Sequence, residues 1–229
     1  MATLSRVTRI CNPALFICDL QEKFRHAIYE FSKVSVPIPS PDPKTNNIQN
    51  NHNHQTPPRN HPLNIPIYIT TQSRNKLGPT VPELTALLSP PTPNIIADID
   101  KTLFSMITPE IDALLPAQPL DVLLVGIETH ICVTQTTLDL LARGHRVYVI
   151  VDGVSSVNKD ERGVAIARLR DAGAIVTTSE SVLFEILGDA KHQAFRAVSG
   201  VVKEMKEETR GRWRVWRSFE SCVWIDRCL

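Results

Sequence analysis

Net charge is nearly absent from this chain. Its 25 Lys and Arg stand against 24 Asp and Glu, a formal +1 at pH 7. No global field therefore draws it to nucleic acid or to an anionic membrane. No apolar run approaches the ~20 residues that span a bilayer. Cysteine is scarce and odd in number: Cys11, Cys18, Cys132, Cys222 and Cys228, with no paired spacing. That excludes a disulfide scaffold and points to free thiols in a reducing compartment, the cytoplasm. No acid precedes Asp19, while Arg6 and Arg9 do. A mitochondrial address is the alternative, but the apolar run that follows reads better as a strand.

What is present suits one α/β domain with appended tails: 229 residues, 42% of them hydrophobic. Six short apolar runs recur: ALFICDL (14–20), IPIYITT (65–71), NIIADI (94–99), VLLVGI (122–127), RVYVIVD (146–152) and AIVTTS (174–179). They are too continuously apolar to leave one face wet, which favours a parallel sheet covered on both sides. Helical patterns fall between them, at 129–143 with Gly144 as its stop and at 159–172 closed by Gly173. Strand–helix repetition of this kind implies a doubly wound, three-layer α/β/α sandwich with right-handed crossovers.

Two regions break the pattern. Residues 36–62 are rich in Pro, Asn and His and lack glycine. With almost no apolar periodicity they read as a disordered loop. They sit where a crossover should join the first two strands, and EKFRHAIYEFSKV (22–34) supplies only part of one. The tail RGRWRVWRSFESCVWIDRCL (210–229) carries all three tryptophans. It reads as a segment that packs on the domain or on a partner. Translated non-coding sequence is the other reading of both regions. The expected domain is 12–200, interrupted at 36–62, with a tail from 201 to 229.

Chemistry is sought at the strand ends, because open parallel sheets bind ligands beyond their carboxyl edges. Asp19 closes the first run, where a carboxylate beside apolar residues must be paired or used. The competing reading is a helix cap, with Glu22 completing a capping box. Lys101 follows the third run. Alone it reads as a solvated loop residue, but Phe104 and Met106 turning inward would leave it at the sheet rim beside a carboxylate. Cys132 follows the fourth run by one short turn, at a helix start whose N–H groups favour a thiolate and an oxyanion. A small buried core residue is the bland reading. His130 offers a possible base but reads better as a half-exposed helix-start residue. Cys11, Cys18, Cys222 and Cys228 have no such placement and read as structural. His52, His54 and His61 lack a scaffold for metal.

The segments ALFICDLQEKFRHAI, IPIYITTQ, LGPTVPEL, DKTLFSM, GIETHICVTQTTLDLL, VVDGVSS and GDAKHQAF occur in one order between residues 14 and 195. Together they resemble the isochorismatase-like cysteine hydrolase superfamily, in its isochorismatase domain-containing branch. The resemblance implies a Rossmann-like, six-stranded parallel sheet of order 3-2-1-4-5-6, with Asp19 and Cys132 meeting at the switch point. It implies Cys132 as nucleophile, Asp19 as proton carrier and Lys101 as the charge that holds Asp19 ionised. It also implies a cis peptide between Ile127 and Glu128, with the N–H groups of Glu128 and Cys132 as oxyanion hole. Phe24, Gln72, Phe104 and Thr129 become expected pocket residues. Nicotinamidases of this superfamily bind metal through Asp-x-His after the second strand. Here that place reads TTQSRNKLG, without histidine, so no metal and no cofactor is expected.

The expected activity is cleavage of a small amide or ester by an Asp–Lys–Cys triad. The expected partners are a small-molecule substrate and a second copy of the chain, with no nucleic acid and no membrane. The alternative is a catalytically inactive scaffold that keeps the fold, motivated by the broken crossover and the tryptophan-rich tail.

Overall fold

The computed structural model describes residues 9–34, 36, 63–88 and 94–203. The expected loop beyond residue 36, the tryptophan-bearing tail, and His52, His54, His61, Cys222 and Cys228 lie outside the described residues.

Six strands form one parallel sheet: β1 Pro13–Cys18, β2 Ile67–Gln72, β3 Ile95–Lys101, β4 Asp121–Ile127, β5 Arg146–Ser155 and β6 Ile175–Thr177. Their order is β3-β2-β1-β4-β5-β6. The helices are α1 Arg74–Leu77, α2 Pro82–Leu88, α3 Pro109–Asp112, α4 Thr134–Ala142, α5 Lys159–Asp171 and α6 Ser179–Leu187. Helical backbone resumes at 195 and continues through 203.

Period-2 alternation divides the central strands between two cores. Ala14, Phe16 and Cys18 of β1 join Val122 and Leu124 of β4 on one face, under Ile111 of α3, Leu140 of α4 and Leu169 of α5. Leu15 and Ile17 join Leu123, Val125 and Ile127 on the other, with Leu84 and Leu88 of α2 and Val182 of α6. A continuous apolar run is what such a strand needs, since both of its faces are dry.

The edges differ from the centre. β3 alternates buried and exposed positions, with Ile96 42% exposed and Asp98 and Asp100 on its wet side. The expectation of a strand covered on both sides fails there, because an edge strand meets solvent. Its acids also blunt it against unwanted pairing, and Arg74 binds Asp98 at 2.5 Å. β6 has three residues rather than the expected six, all half-buried.

The crossover after β1 begins without an α-helix. Two 3-10 turns, Glu22–Phe24 and Phe31–Lys33, carry the chain. Ile28, Phe31 and Val34 nevertheless lie buried against β1, β4 and β5. Each such side chain contributes roughly 1.5–3 kcal/mol. The Tyr29 amide donates to the Ser156 carbonyl at 2.9 Å, pinning the segment beyond β5. These three side chains therefore cover apolar surface of the sheet where the crossover leaves β1.

Candidate active site

The switch point lies between β1 and β4, where the two crossovers leave in opposite directions. Cys18 of β1 stands opposite Gly126 of β4. A Cβ on Gly126 would come within 2.0 Å of the Cys18 carbonyl oxygen, and Gly126 has φ of 119°. Only glycine permits this approach. It brings the two strand ends, and everything that follows them, close together.

Asp19 leaves β1 with φ of 53°, a region that Asp enters more readily than most residues. Its carboxylate is buried, with each oxygen partnered. The Thr70 hydroxyl donates to Oδ1 at 2.8 Å, and Lys101 Nζ donates to Oδ2 at 2.7 Å. The capping reading fails, since no side chain caps the following turn and Glu22 pairs with Arg25 at 2.7 Å.

Lys101 is the last residue of β3, not a loop residue, and is 4% exposed. Besides Asp19 its ammonium reaches Gln72 Oε1 at 2.7 Å and the carbonyls of Leu103 and Phe104 at 3.1 Å each. Burial works against its charge, but Cys18, Asp19 and Cys132 outweigh it and raise the Lys101 pKa. Met106 is buried as expected, whereas the Phe104 side chain is 52% exposed. The inward turn expected of Phe104 fails because its carbonyl, not its ring, faces the site. Gln72 holds Lys101 through its Oε1, and its Nε2 donates to the Thr102 carbonyl at 2.9 Å. Gln72 is itself anchored by Gln21, whose Oε1 accepts from the Gln72 amide at 2.7 Å.

Cys132 belongs to one π-helical turn, Thr129–Val133, inserted between β4 and α4. The Val133 amide donates to the Glu128 carbonyl at 3.1 Å, five residues back. Turns of this kind recur at functional sites. Threonines of α4 bind its carbonyls: Thr134 that of Thr129 at 2.6 Å, Thr136 that of Cys132 at 2.7 Å and Thr137 that of Val133 at 2.8 Å. The Ile127–Glu128 peptide is cis. His130 Nδ1 lies 3.0 Å from the Ser156 hydroxyl, which places it as a structural partner of that loop. Thr129 is fully buried, and its hydroxyl has no hydrogen-bond partner among the described residues. Phe24 is half-buried against the core beneath α2 and α6.

The sulfur atoms of Cys18 and Cys132 and a carboxylate oxygen of Asp19 lie within 4.8 Å of one another. Asp19, Lys101 and Cys132 thus converge from three strand ends. Cys18 was not expected here. Its place two residues after Phe16 was the available signal, since it puts the thiol on the face that α4 covers. Burial pushes the Cys18 thiol well above its ordinary pKa, and Cys132 and Asp19 push the same way against Lys101. Two sulfurs and an oxygen form a donor set for a soft cation. The Asp19 carboxylate already holds an ammonium at 2.7 Å, which opposes a second positive charge.

A doubly wound sheet of this order, with Asp, Lys and Cys gathered at its switch point, defines an isochorismatase-like hydrolase fold. The sequence model of the isochorismatase domain matches residues 13–181. Isochorismatase domain-containing protein 2 of Xenopus laevis is 38% identical over 209 residues, covering 89% of this chain and 91% of that protein. The Homo sapiens protein of the same name is 39% identical over 193 residues, covering 83% and 82%. A solved structure, the MAR1 ribonuclease of Caenorhabditis elegans, superposes with a TM-score of 0.67 at 35% identity, covering 85% of this chain and 92% of that one. The chain belongs to the isochorismatase family.

Proposed function

We propose that this chain is a cysteine hydrolase that cleaves a small amide or ester through a thioester on Cys132. The observation that carries the reading is the convergence of a buried Asp19–Lys101 ion pair with the Cys132 thiol. Asp19 takes the thiol proton, and the sulfur attacks the substrate carbonyl carbon. The oxyanion forms against the backbone N–H groups of Glu128 and Cys132. Asp19 returns the proton to the leaving amine or alcohol as the tetrahedral intermediate collapses. Water, deprotonated by Asp19, then releases the acid and frees the thiol. Lys101, committed to four acceptors, fixes the Asp19 charge throughout.

Burial of all three reacting side chains supports a small substrate that enters a pocket. Thr129 is the pocket residue best supported, because its buried hydroxyl has no hydrogen-bond partner among the described residues. Phe24 is a candidate apolar wall. Gln72 and Phe104 act through Lys101. In this reading the protein works as a homo-oligomer in the cytoplasm, where Cys11, Cys18 and Cys132, free among the described residues, stay reduced. Among the described residues no helix is long and apolar enough to cross a membrane. Of the two motives for the scaffold alternative, the broken crossover weakens, since Ile28, Phe31 and Val34 pack into the core on the β1 side; the tryptophan-rich tail lies outside the described residues.

The test is hydrolysis of a panel of small amides and esters, with short RNA as a further arm prompted by the Caenorhabditis relative. Turnover with an acyl-enzyme burst is expected, with Cys132→Ala abolishing both. Turnover that survives Cys132→Ala, or activity on RNA alone, overturns the reading.

A further inference from the structure

The mechanism leaves one nucleophilic group of the site unused. Cys18 is fully buried, yet its sulfur lies within 4.8 Å of that of Cys132. It also sits 3.5 Å from Asp19 Oδ2, the oxygen that binds Lys101. Cys132 is 7% exposed and Cys18 not at all. A small reagent can therefore touch Cys132, while Cys18 can react only with its neighbour.

We propose that Cys18 and Cys132 form a dithiol site for hydroperoxides, in which Cys132 is oxidised and Cys18 resolves it. The proposal rests on the reading of Cys132 as the reactive thiol. In the first step the Cys132 thiolate attacks the outer oxygen of the hydroperoxide. The O–O bond breaks, Cys132 becomes a sulfenic acid, and the alkoxide or hydroxide leaves with the proton that Asp19 took from the thiol. In the second step Asp19 accepts the Cys18 proton. The Cys18 sulfur attacks the Cys132 sulfur, the S–O bond breaks, and hydroxide leaves with that proton as water. Two thiols and one hydroperoxide give one disulfide, one alcohol or water, and one further water. The thiols lose two electrons and the peroxide gains them.

Burial suits Cys18 to this role. It stays protonated and inert at rest, because desolvation disfavours its thiolate. It gains a base only through Asp19, beside the sulfur it must reach. The disulfide guards Cys132 against irreversible oxidation, since sulfenic acid that meets no thiol proceeds to sulfinic acid.

The test treats the full-length reduced protein with hydrogen peroxide and maps its peptides without reduction. A Cys18–Cys132 cross-linked peptide is expected, with recovery of Cys132 alkylation by iodoacetamide after dithiothreitol. In Cys18→Ser, and in Cys18→Ala should the first fold poorly, Cys132 is expected as sulfinic acid or as a dimedone adduct. Recovery should then fall roughly tenfold, because thiols do not reduce sulfinic acid. A dimedone adduct on Cys132 in the wild-type protein, with no cross-link, overturns this inference and leaves the hydrolase reading standing. A Cys132 that resists both peroxide and iodoacetamide overturns both.

Discussion

Replacing Lys101 with Met removes the only counter-charge held by Asp19 among the described residues. The pair is 2.7 Å long, and both side chains are at most 2% exposed. Asp19 would keep the Thr70 hydroxyl at 2.8 Å, and Gln72, Leu103 and Phe104 would each lose a donor. Breaking one side of a buried pair destabilises by about 3–5 kcal/mol, because the survivor is left charged and dry. For a domain of this size that corresponds to a melting point about 6–20 °C lower. The fall alone could reflect lost packing, so the cycle must be closed with Asp19→Asn. Asparagine tolerates the left-handed backbone of position 19 and needs no counter-ion. The double variant should be more stable than the sum of the single losses by about 2–3 kcal/mol. Urea denaturation of the four proteins measures it. Strict additivity, or a Lys101→Met protein that melts with the wild type, would refute the claim that charge pairing holds this site together.

Three further outcomes are expected. Gly126→Ala should destabilise by about 3 kcal/mol, since the new methyl meets backbone that cannot yield; an unchanged urea midpoint would reject the close approach of β1 and β4. Thr70→Val should cost about 1.5–3 kcal/mol as the hydrogen bond to the Asp19 carboxylate is lost, with Ser restoring most of it in thermal melts. Burial, with Arg143 nearby, holds the His145 imidazole below its ordinary value of 6.5. The unfolded chain therefore binds more protons below about pH 7, and stability should fall as pH is lowered from 7.5 to 5.5. Asparagine at 145 can still accept from the Leu120 amide, as Nδ1 now does at 3.0 Å. Parallel urea titrations should show a shallower pH slope in His145→Asn, and equal slopes would count against the assignment.

The sheet was legible because its central strands are buried on both faces and so write their runs in apolar letters alone. The edge strand β3 obeyed another rule: half of it meets water, and IIADIDK alternates accordingly. The helix expected over 129–143 was right in extent but not in kind. A five-residue turn adds one residue to the hydrogen-bonded loop, and apolar periodicity cannot register it. The three threonines at 134, 136 and 137 were the visible trace, since they serve the carbonyls that such a turn leaves. Asp19, Lys101 and Cys132 could be ordered along the chain, but their meeting depends on strand order. Cys18 was passed over because a buried cysteine at a strand end reads as core, which it also is. The crossover segment at 22–34 hid its packing because 3-10 turns lack the helical period by which apolar faces are recognised.

The pairing of β1 with β4 has a consequence for synthesis. The Asn12 amide donates to Asp121 Oδ2 across 109 residues of chain, and register is held from there up to Cys18 and Gly126. At 5–20 residues per second the ribosome needs about 5–20 s to deliver the partner strand. Throughout that interval one edge of β1 is a bare, apolar template open to any passing strand. The site cannot exist on a nascent chain until β4 and the turn behind it have emerged. Premature termination after residue 101 and before residue 132 yields an aggregation-prone half-sheet, with Asp19 and Lys101 in hand and no Cys132.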